Sequence, residues 1–194
     1  MTLSTFSVTD FMSNIDNLGG YARRHKYSVQ IIPPTAFRSS VGSGTIDFLA
    51  KSVMLPRKAF ATTEQRIYGI NKTVPYETKF EPAVITMINT NDWAPRVFWD
   101  QWLEHIQNPE SKNMTYYKES VGRVNINHYD DEKTSQWGAS NYSVTLYEAW
   151  PEAISEIALA WENRDIQDFD ITLRYKYWTA ESSHYPSHRA GDED

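Results

Sequence analysis

Cysteine is absent from this chain, which excludes a disulfide framework and any thiolate metal site and leaves the fold to stand without covalent staples. That absence fits assembly inside a cell. Long apolar runs are missing too: nothing approaches the ~18 consecutive apolar residues of a membrane-spanning helix. The N-terminus, MTLSTFSVTDFMSNIDNLGG, has no basic stretch followed by a long apolar one. The expectation is a soluble protein that binds no membrane and leaves a cell by lysis or within an assembly. Positive charge is also short. The 19 Lys and Arg face 25 Asp and Glu, for a net charge of −6 and a pI near 5.4, so the molecule as a whole does not attract phosphates. No G-x-S-x-G elbow, P-loop, H-E-x-x-H or internal repeat occurs.

Aromatics, by contrast, are plentiful. They make up 14% of 194 residues, with seven Trp and twelve Tyr, more than a disordered or purely helical chain carries. This size suits one domain. The expected organisation is a single domain over 1–178, with an N-terminal arm or helix at 1–20. A polar tail follows at 179–194, where Glu181, Asp192, Glu193 and Asp194 outweigh Arg189.

Residues 5–17 predict a short helix, with Ser7 or Thr9 as cap and Phe11, Met12 and Ile15 as its stripe. Tyr27, Val29 and Ile31 alternate as a strand that Pro33 and Pro34 stop, and Ser39 to Gly44 reads as a loop. Ile46, Phe48 and Ala50 then predict a strand running to Val53, Leu55 and Pro56. The stretch from Leu55 to Thr63 reads as an exposed excursion, with partial alternation returning over 65–71 and 74–78. AVITMINTND predicts a strand with both faces partly buried. A helix follows, N-capped by Asp92, with Pro95 in its first turn and Phe98, Trp99, Trp102, Leu103 and Ile106 on its apolar face.

Tyr116 to His128 and Tyr142 to Ala149 predict two more strands. Trp150 and Pro151 predict the start of one helical turn, and Ile157, Leu159 and Trp161 a strand. Phe169, Ile171, Leu173, Tyr175 and Tyr177 alternate with polar residues in the cleanest period-two stretch of the chain. The sum is a mainly β protein: an antiparallel β-barrel or two-sheet sandwich with one flanking α-helix.

Candidate chemistry is weighed against plainer readings. His184 and His188 have i,i+4 spacing, but Pro186 lies between them and further ligands are missing. His128 with Asp130, Asp131 and Glu132 lacks the spacing and glycine of a calcium loop and reads as a solvated turn. Asp168 and Asp170 share a strand face through alternation alone. Gly42 and Gly44 have no βαβ context that would cradle a phosphate. Trp99 and Trp102 read as core rather than a ligand platform. No catalytic residue, metal or cofactor is expected. The run Arg23, Arg24, His25 and Lys26 is the one dense basic segment, and in an acidic protein it suits an acidic surface on a partner.

Taken in order, the strand at Tyr27 to Ile32, the strand ending at Leu55 and Pro56, VITMINTND leading into Trp93 to Trp102, and VTLYEAWPEAISEIALAWENRDIQDFDITLRYKYW resemble the plan of tail tube proteins of contractile-tailed, myovirus-type bacteriophages, relatives of type VI secretion tube proteins. The likeness covers roughly 20–178, and its most specific block runs from Trp150 to Trp178. The residues expected as core or signature positions are Trp99, Trp102, Trp150, Pro151, Trp161, Phe169, Tyr175 and Trp178. Departures lie in the loops 33–44 and 129–140 and in the tail.

The resemblance implies a structural, non-enzymatic virion protein. Hexameric rings would join their sheets into one inner barrel and stack into a hollow tube that conducts DNA inside a contractile sheath. The implied partners are further copies of the chain, the sheath protein, baseplate or tube-initiator and tail terminator proteins, a tape measure protein in the lumen, and DNA in passage. The implied location is the virion tail, assembled in the host cytoplasm. Inter-ring contacts fall by resemblance on Leu55 to Gln65, with Leu55, Arg57, Lys58, Phe60 and Gln65, and on the N-terminal segment with Phe11. The alternatives are a tube-initiator or baseplate paralogue, the tube of a phage-derived injection or type VI secretion system, a small-molecule-binding β-barrel with an enclosed apolar pocket, and an enzyme, which would need convergent polar groups.

Overall fold

Alternating burial along β-strands organises the molecule. In this computed structural model the described residues are 7–17, 20–66, 69–129, 140–162 and 164–182. The elements in chain order are α1 (Val8–Asn17), β1 (Tyr27–Ile32), α2 (Ser43–Ile46), a 3-10 turn (Asp47–Leu49), β2 (Ala50–Val53), β3 (Lys58–Gln65), β4 (Lys72–Phe80) and β5 (Ala83–Ile88). They continue with α3 (Ala94–Ile106), α4 (Tyr117–Ser120), β6 (Gly122–His128), β7 (Tyr142–Ile154), β8 (Asp168–Arg174) and β9 (Tyr177–Ser182). All pairings are antiparallel. The main sheet runs β1-β6-β7-β8-β5-β2 with β9 also on β7, while β3 and β4 form a separate two-stranded ribbon.

β7 joins the two halves of the sheet. Its first part, Tyr142 to Tyr147, pairs with both β6 and β9, and its second, Trp150 to Ile154, pairs with β8. Between them lies a bulge: Gly122 faces Ala149 and Arg123 faces Tyr147, so Glu148 has no opposite residue and takes φ 53°. The chain on the other side bends at the same level. β8 ends at Arg174, Lys176 N–H donates to Tyr147 O at 3.0 Å, and β9 begins at Tyr177. The long alternating stretch is therefore two strands bent around one bulge.

The core collects the inward rows of both halves with one face of α3. Ala83, Ile85 and Met87 from β5, Phe169, Ile171 and Leu173 from β8, Val124 and Ile126 from β6, and Val144 and Leu146 from β7 are buried together with Phe98, Trp99 and Trp102. Each large aliphatic or Phe side chain among them contributes roughly 1.5–3 kcal/mol on leaving water. The indoles of Trp99 and Trp102 stack at 5.4 Å with 3° between their planes. Trp102 Nε1–H donates to Ser120 O at 3.0 Å and Trp99 Nε1–H points at Met87 Sδ at 3.1 Å, so neither buried N–H is orphaned. Gly122 lets the helix come this close. A Cβ there would lie 2.4 Å from Ile32 O and 2.9 Å from the Trp102 ring.

Several expectations fail locally, each for a tertiary reason. Ile46 and Phe48 are in a helical turn, and the strand starts only at Ala50. Ile46 is buried, and the Asp47 carboxylate accepts Ile31 N–H at 2.8 Å, so this turn caps an unpaired group on the edge of β1. Part of the expected Ser39 to Gly44 loop, Ser43 and Gly44, belongs to α2. The N-cap of α3 is Trp93, at φ 59°, not Asp92. Asp92 still accepts the Ala94 N–H at 3.3 Å from one position earlier.

Tyr117 to Ser120 make a helical turn ahead of β6, placing Ser120 O against Trp102. Trp150 and Pro151 do not begin a helix: strand pairing with β8 runs on to Ile154. Ile157, Leu159 and Trp161 form no strand but lie in the loop between β7 and β8, where Trp161, expected in the core, is 105% exposed. Thr179 to Ser182, expected in the tail, pair with β7 as part of β9.

Candidate assembly surface

The excursion expected at Leu55 to Thr63 is one arm of the ribbon. β3, KAFATTEQ, pairs with β4, KTVPYETKF, from Lys58 opposite Phe80 to Gln65 opposite Lys72. Pro75 on β4 has no N–H to donate and sits opposite Thr62, where the register shifts. Among the ribbon's residues only Ala61 is buried. Phe60 is 60% exposed and Tyr76 64%, and Met54, Leu55 and Ile70 near its two ends are also exposed. A two-stranded ribbon with water on both sides is marginal alone. Its base is fastened by Phe80 against Tyr175, at 6.1 Å between ring centroids, and by Tyr175 O–H donating to Glu81 O at 2.5 Å; the exposed Arg57 lies 3.4 Å from Glu81, a pair that contributes little in water.

Leu55, Arg57, Lys58 and Phe60 thus cluster at the ribbon base, and Gln65 lies at its far end, roughly 23 Å from Lys58 at ~3.3 Å per strand residue. Phe11 belongs to a different element. It sits on α1, a helix that buries none of its residues. Tyr76, Met54 and Ile70 join Leu55 and Phe60 as exposed apolar residues of the ribbon and its ends, and were missed from sequence. Pro75 inside a Thr-rich alternating stretch was the available signal for a solvent-facing strand.

A groove of about 910 Å³ opens between the segment 22–25, the ends of β1, β6 and β7, and the outer edge of β2. Ile126, Val53, Leu55, Tyr27 and Tyr142 supply apolar wall, and Arg23, Arg24, His25 and Lys51 line it as well. Tyr27 O–H donates to Ala50 O at 3.1 Å across the gap. His128 Nε2 is 2.9 Å from Arg23 O, so the ring is taken up by backbone. The groove lies at the surface and is not the enclosed apolar pocket that a small-molecule barrel would show.

Charged groups in the sheet are engaged with one another. Asp168 accepts from Lys51, whose pKa that hydrogen bond raises. Asp170 accepts from Thr86 Oγ1 at 2.7 Å, so the two aspartates serve separate partners. At the β7 bulge Lys176 Nζ donates to Glu148 at 2.9 Å, and chiefly for that reason the Glu148 carboxyl is held below its ordinary range. Arg174 Nε pairs with Glu152 at 2.7 Å. No cluster of three His, Asp or Glu that would hold a metal occurs among the described residues. Asp130, Asp131, Glu132, His184 and His188 lie outside those residues.

These features define a class first: an antiparallel β protein whose two-stranded ribbon and N-terminal helix expose apolar side chains among the described residues. The model of the phage tail tube protein family matches residues 22–181, and the chain belongs to that family. Its matched span starts after α1.

Solved structures agree on the fold. A chain of the cryo-EM structure of the sheath-tube complex of an extracellular contractile injection system, PVC, in the extended state is 13% identical. It is similar over 92% of this chain and 99% of its own, with a TM-score of 0.62. A chain of the anti-feeding prophage baseplate is 12% identical over 84% of this chain and 97% of its own, with a TM-score of 0.62. A chain of the anti-feeding prophage tube-terminating cap is 14% identical over 84% and 92%, with a TM-score of 0.59. No curated protein matches the sequence.

Proposed function

We propose that this chain is the repeating subunit of a hollow inner tail tube. Six copies close into a ring, rings stack, and the tube lies within a contractile sheath as the conduit for DNA. The family match across residues 22–181 carries this reading. Physical chemistry supports it. β1 and β2 end the order of the main sheet and β9 pairs only with β7, so these three strands of that sheet each keep an edge with no strand beside it among the described residues. Edge-to-edge pairing of identical subunits in a closed, heterologous ring covers such edges, which otherwise invite aggregation.

The ribbon with Leu55, Arg57, Lys58, Phe60 and Gln65, and the N-terminal helix with Phe11, supply contacts between stacked rings. The net charge of −6 suits a conduit, because a basic lumen would hold passing phosphates. Partners beyond the chain itself are the sheath, baseplate or initiator and terminator proteins, and a tape measure protein in the lumen. The role is structural rather than catalytic, and assembly takes place in the host cytoplasm before the tail is complete. One domain reaching into β9, with the residues after it as a polar tail, is enough for this role.

Electron microscopy of the purified protein tests the reading. Hollow, ring-striated rods are the expected result, and a protein that sediments only as a monomer at all concentrations refutes it. A second reading, the tube of an injection system or a baseplate paralogue, is favoured by the similarity to chains of the injection-system and anti-feeding prophage structures. Long rods assembled by the chain alone speak against the baseplate paralogue, and a genome-free particle containing this chain speaks for the injection system.

A further inference from the structure

Two surfaces are each incomplete. α1 carries Val8, Phe11, Met12 and Ile15 at i, i+3, i+4 and i+7, one apolar stripe, and none of these side chains is buried. At ten residues it is shorter than the ~12–15 at which isolated helices become even marginally stable in water, so it requires a surface to pack on. Its charged residues are acids, Asp10 and Asp16. The groove has the opposite character. Val53, Leu55 and Tyr142 offer apolar wall, and Arg23, Arg24 and His25 offer cationic or protonatable rim.

We propose that α1 of one copy docks in this groove on a second copy, stripe to apolar wall and Asp16 to the arginine rim. The proposal rests on the self-assembly reading above and deepens it by naming the two surfaces that meet. Three observations favour a second copy as the occupant. No residue of α1 lines the groove of its own chain, although the segment 22–25, only five residues beyond the helix, forms part of the wall. The charges are complementary, and the one dense basic run of an acidic protein is where the helix acids would meet it. Helix and groove are different surfaces, which is the condition for a heterologous contact that passes from copy to copy.

The absence of native cysteine makes the test clean. Met12→Cys on α1 and Ser52→Cys on β2 are combined in the full chain, oxidised mildly under assembly conditions and run on a denaturing, non-reducing gel. A ladder of disulfide-linked dimers and higher multimers, lost with either single variant, is expected. A disulfide formed within one chain overturns the proposal, because the helix then fills its own groove. Absence of any disulfide while rods still form overturns it and leaves the self-assembly reading intact. Wild-type protein that stays monomeric overturns both.

A charge exchange provides a second readout. Arg24→Glu is expected to raise the critical concentration for assembly roughly fivefold to tenfold. Adding Asp16→Lys, which also suits the C-terminal end of the helix, is expected to restore it. Failure of that rescue in a folded double variant counts against the pairing.

Discussion

The sandwich and the β3–β4 ribbon are made of the same unit, an antiparallel strand pair, and meet water in opposite ways. Along β5 every second residue is buried, and its neighbours on the other face are half-buried. Along β3 and β4 only Ala61 is buried, while Phe60 and Tyr76 stand out in solvent. Apolar side chains in the sandwich are covered by α3 and the facing strands, so their free energy is spent within the subunit. Those of the ribbon, Phe60 and Tyr76, are left exposed among the described residues, so their burial would require contact with something beyond those residues. Core packing and exposed apolar surface therefore fall on separable residues.

Trp102→Ala would break the sandwich side of that comparison most severely. The indole is fully buried, stacks on Trp99 and donates to Ser120 O, so a loss of about 3–5 kcal/mol is expected in denaturant unfolding. Gly122→Ala comes next. Its methyl would meet Ile32 O and the Trp102 ring, and overpacking of this kind costs about 1–3 kcal/mol. A wild-type midpoint for this variant would show that β6 moves away from α3 without cost.

Smaller still is the effect at the β7 bulge. The Glu148 carboxyl titrates below its ordinary range, chiefly through the hydrogen bond from Lys176. A depressed carboxyl adds stability that is present above its unfolded pKa and is lost as pH falls through the folded one. Melting temperature should therefore fall on the acid side of the usual carboxylate range, and more shallowly in Glu148→Gln than in the wild type. Equal slopes would remove Glu148 from the account.

The ribbon should show the least effect on the fold and a large one on assembly. Reversing Arg57 and Lys58 to Glu together is expected to leave the monomer's unfolding free energy within about 0.5 kcal/mol. Rods should then fail to lengthen in the microscope. Rods of unaltered length would remove both residues from the inter-ring contact, and a destabilised monomer would show that the Arg57 to Glu81 pair holds the ribbon base rather than a neighbour.

Much of the sandwich was legible because burial on one face imposes a period of two. Val29 and Ile31, Ile85 and Met87, and Phe169, Ile171 and Leu173 alternate in the sequence and are buried in the structure. The helix at 94–106 was legible for a similar reason, a broad apolar face with a proline in the first turn. The ribbon was legible only as partial alternation over 74–78, because a strand with water on both faces is under little pressure to alternate. The stretch from Trp150 to Trp161 misled. Pro151 reads as a helix start in isolation, and Trp161 reads as core by its chemistry, yet strand pairing carries the first into β7 and the loop carries the second into solvent.

By itself, the sequence determined the class: a mainly antiparallel β protein with one flanking helix, free of disulfides, and a member of the tail tube family through an ordered set of motifs. Local chemistry suffices there, since alternation, proline placement and the absence of cysteine act over a few residues or over the whole composition. Only the tertiary structure decided where β7 bends, that Ile46 and Asp47 cap the edge of β1 instead of extending β2, and that the exposed excursion is a paired ribbon. Those outcomes depend on partners distant in the chain, Ile31 for Asp47, Arg123 and Lys176 around Glu148, and β4 for β3. A residue's neighbours in sequence hold no record of a contact formed across the sheet.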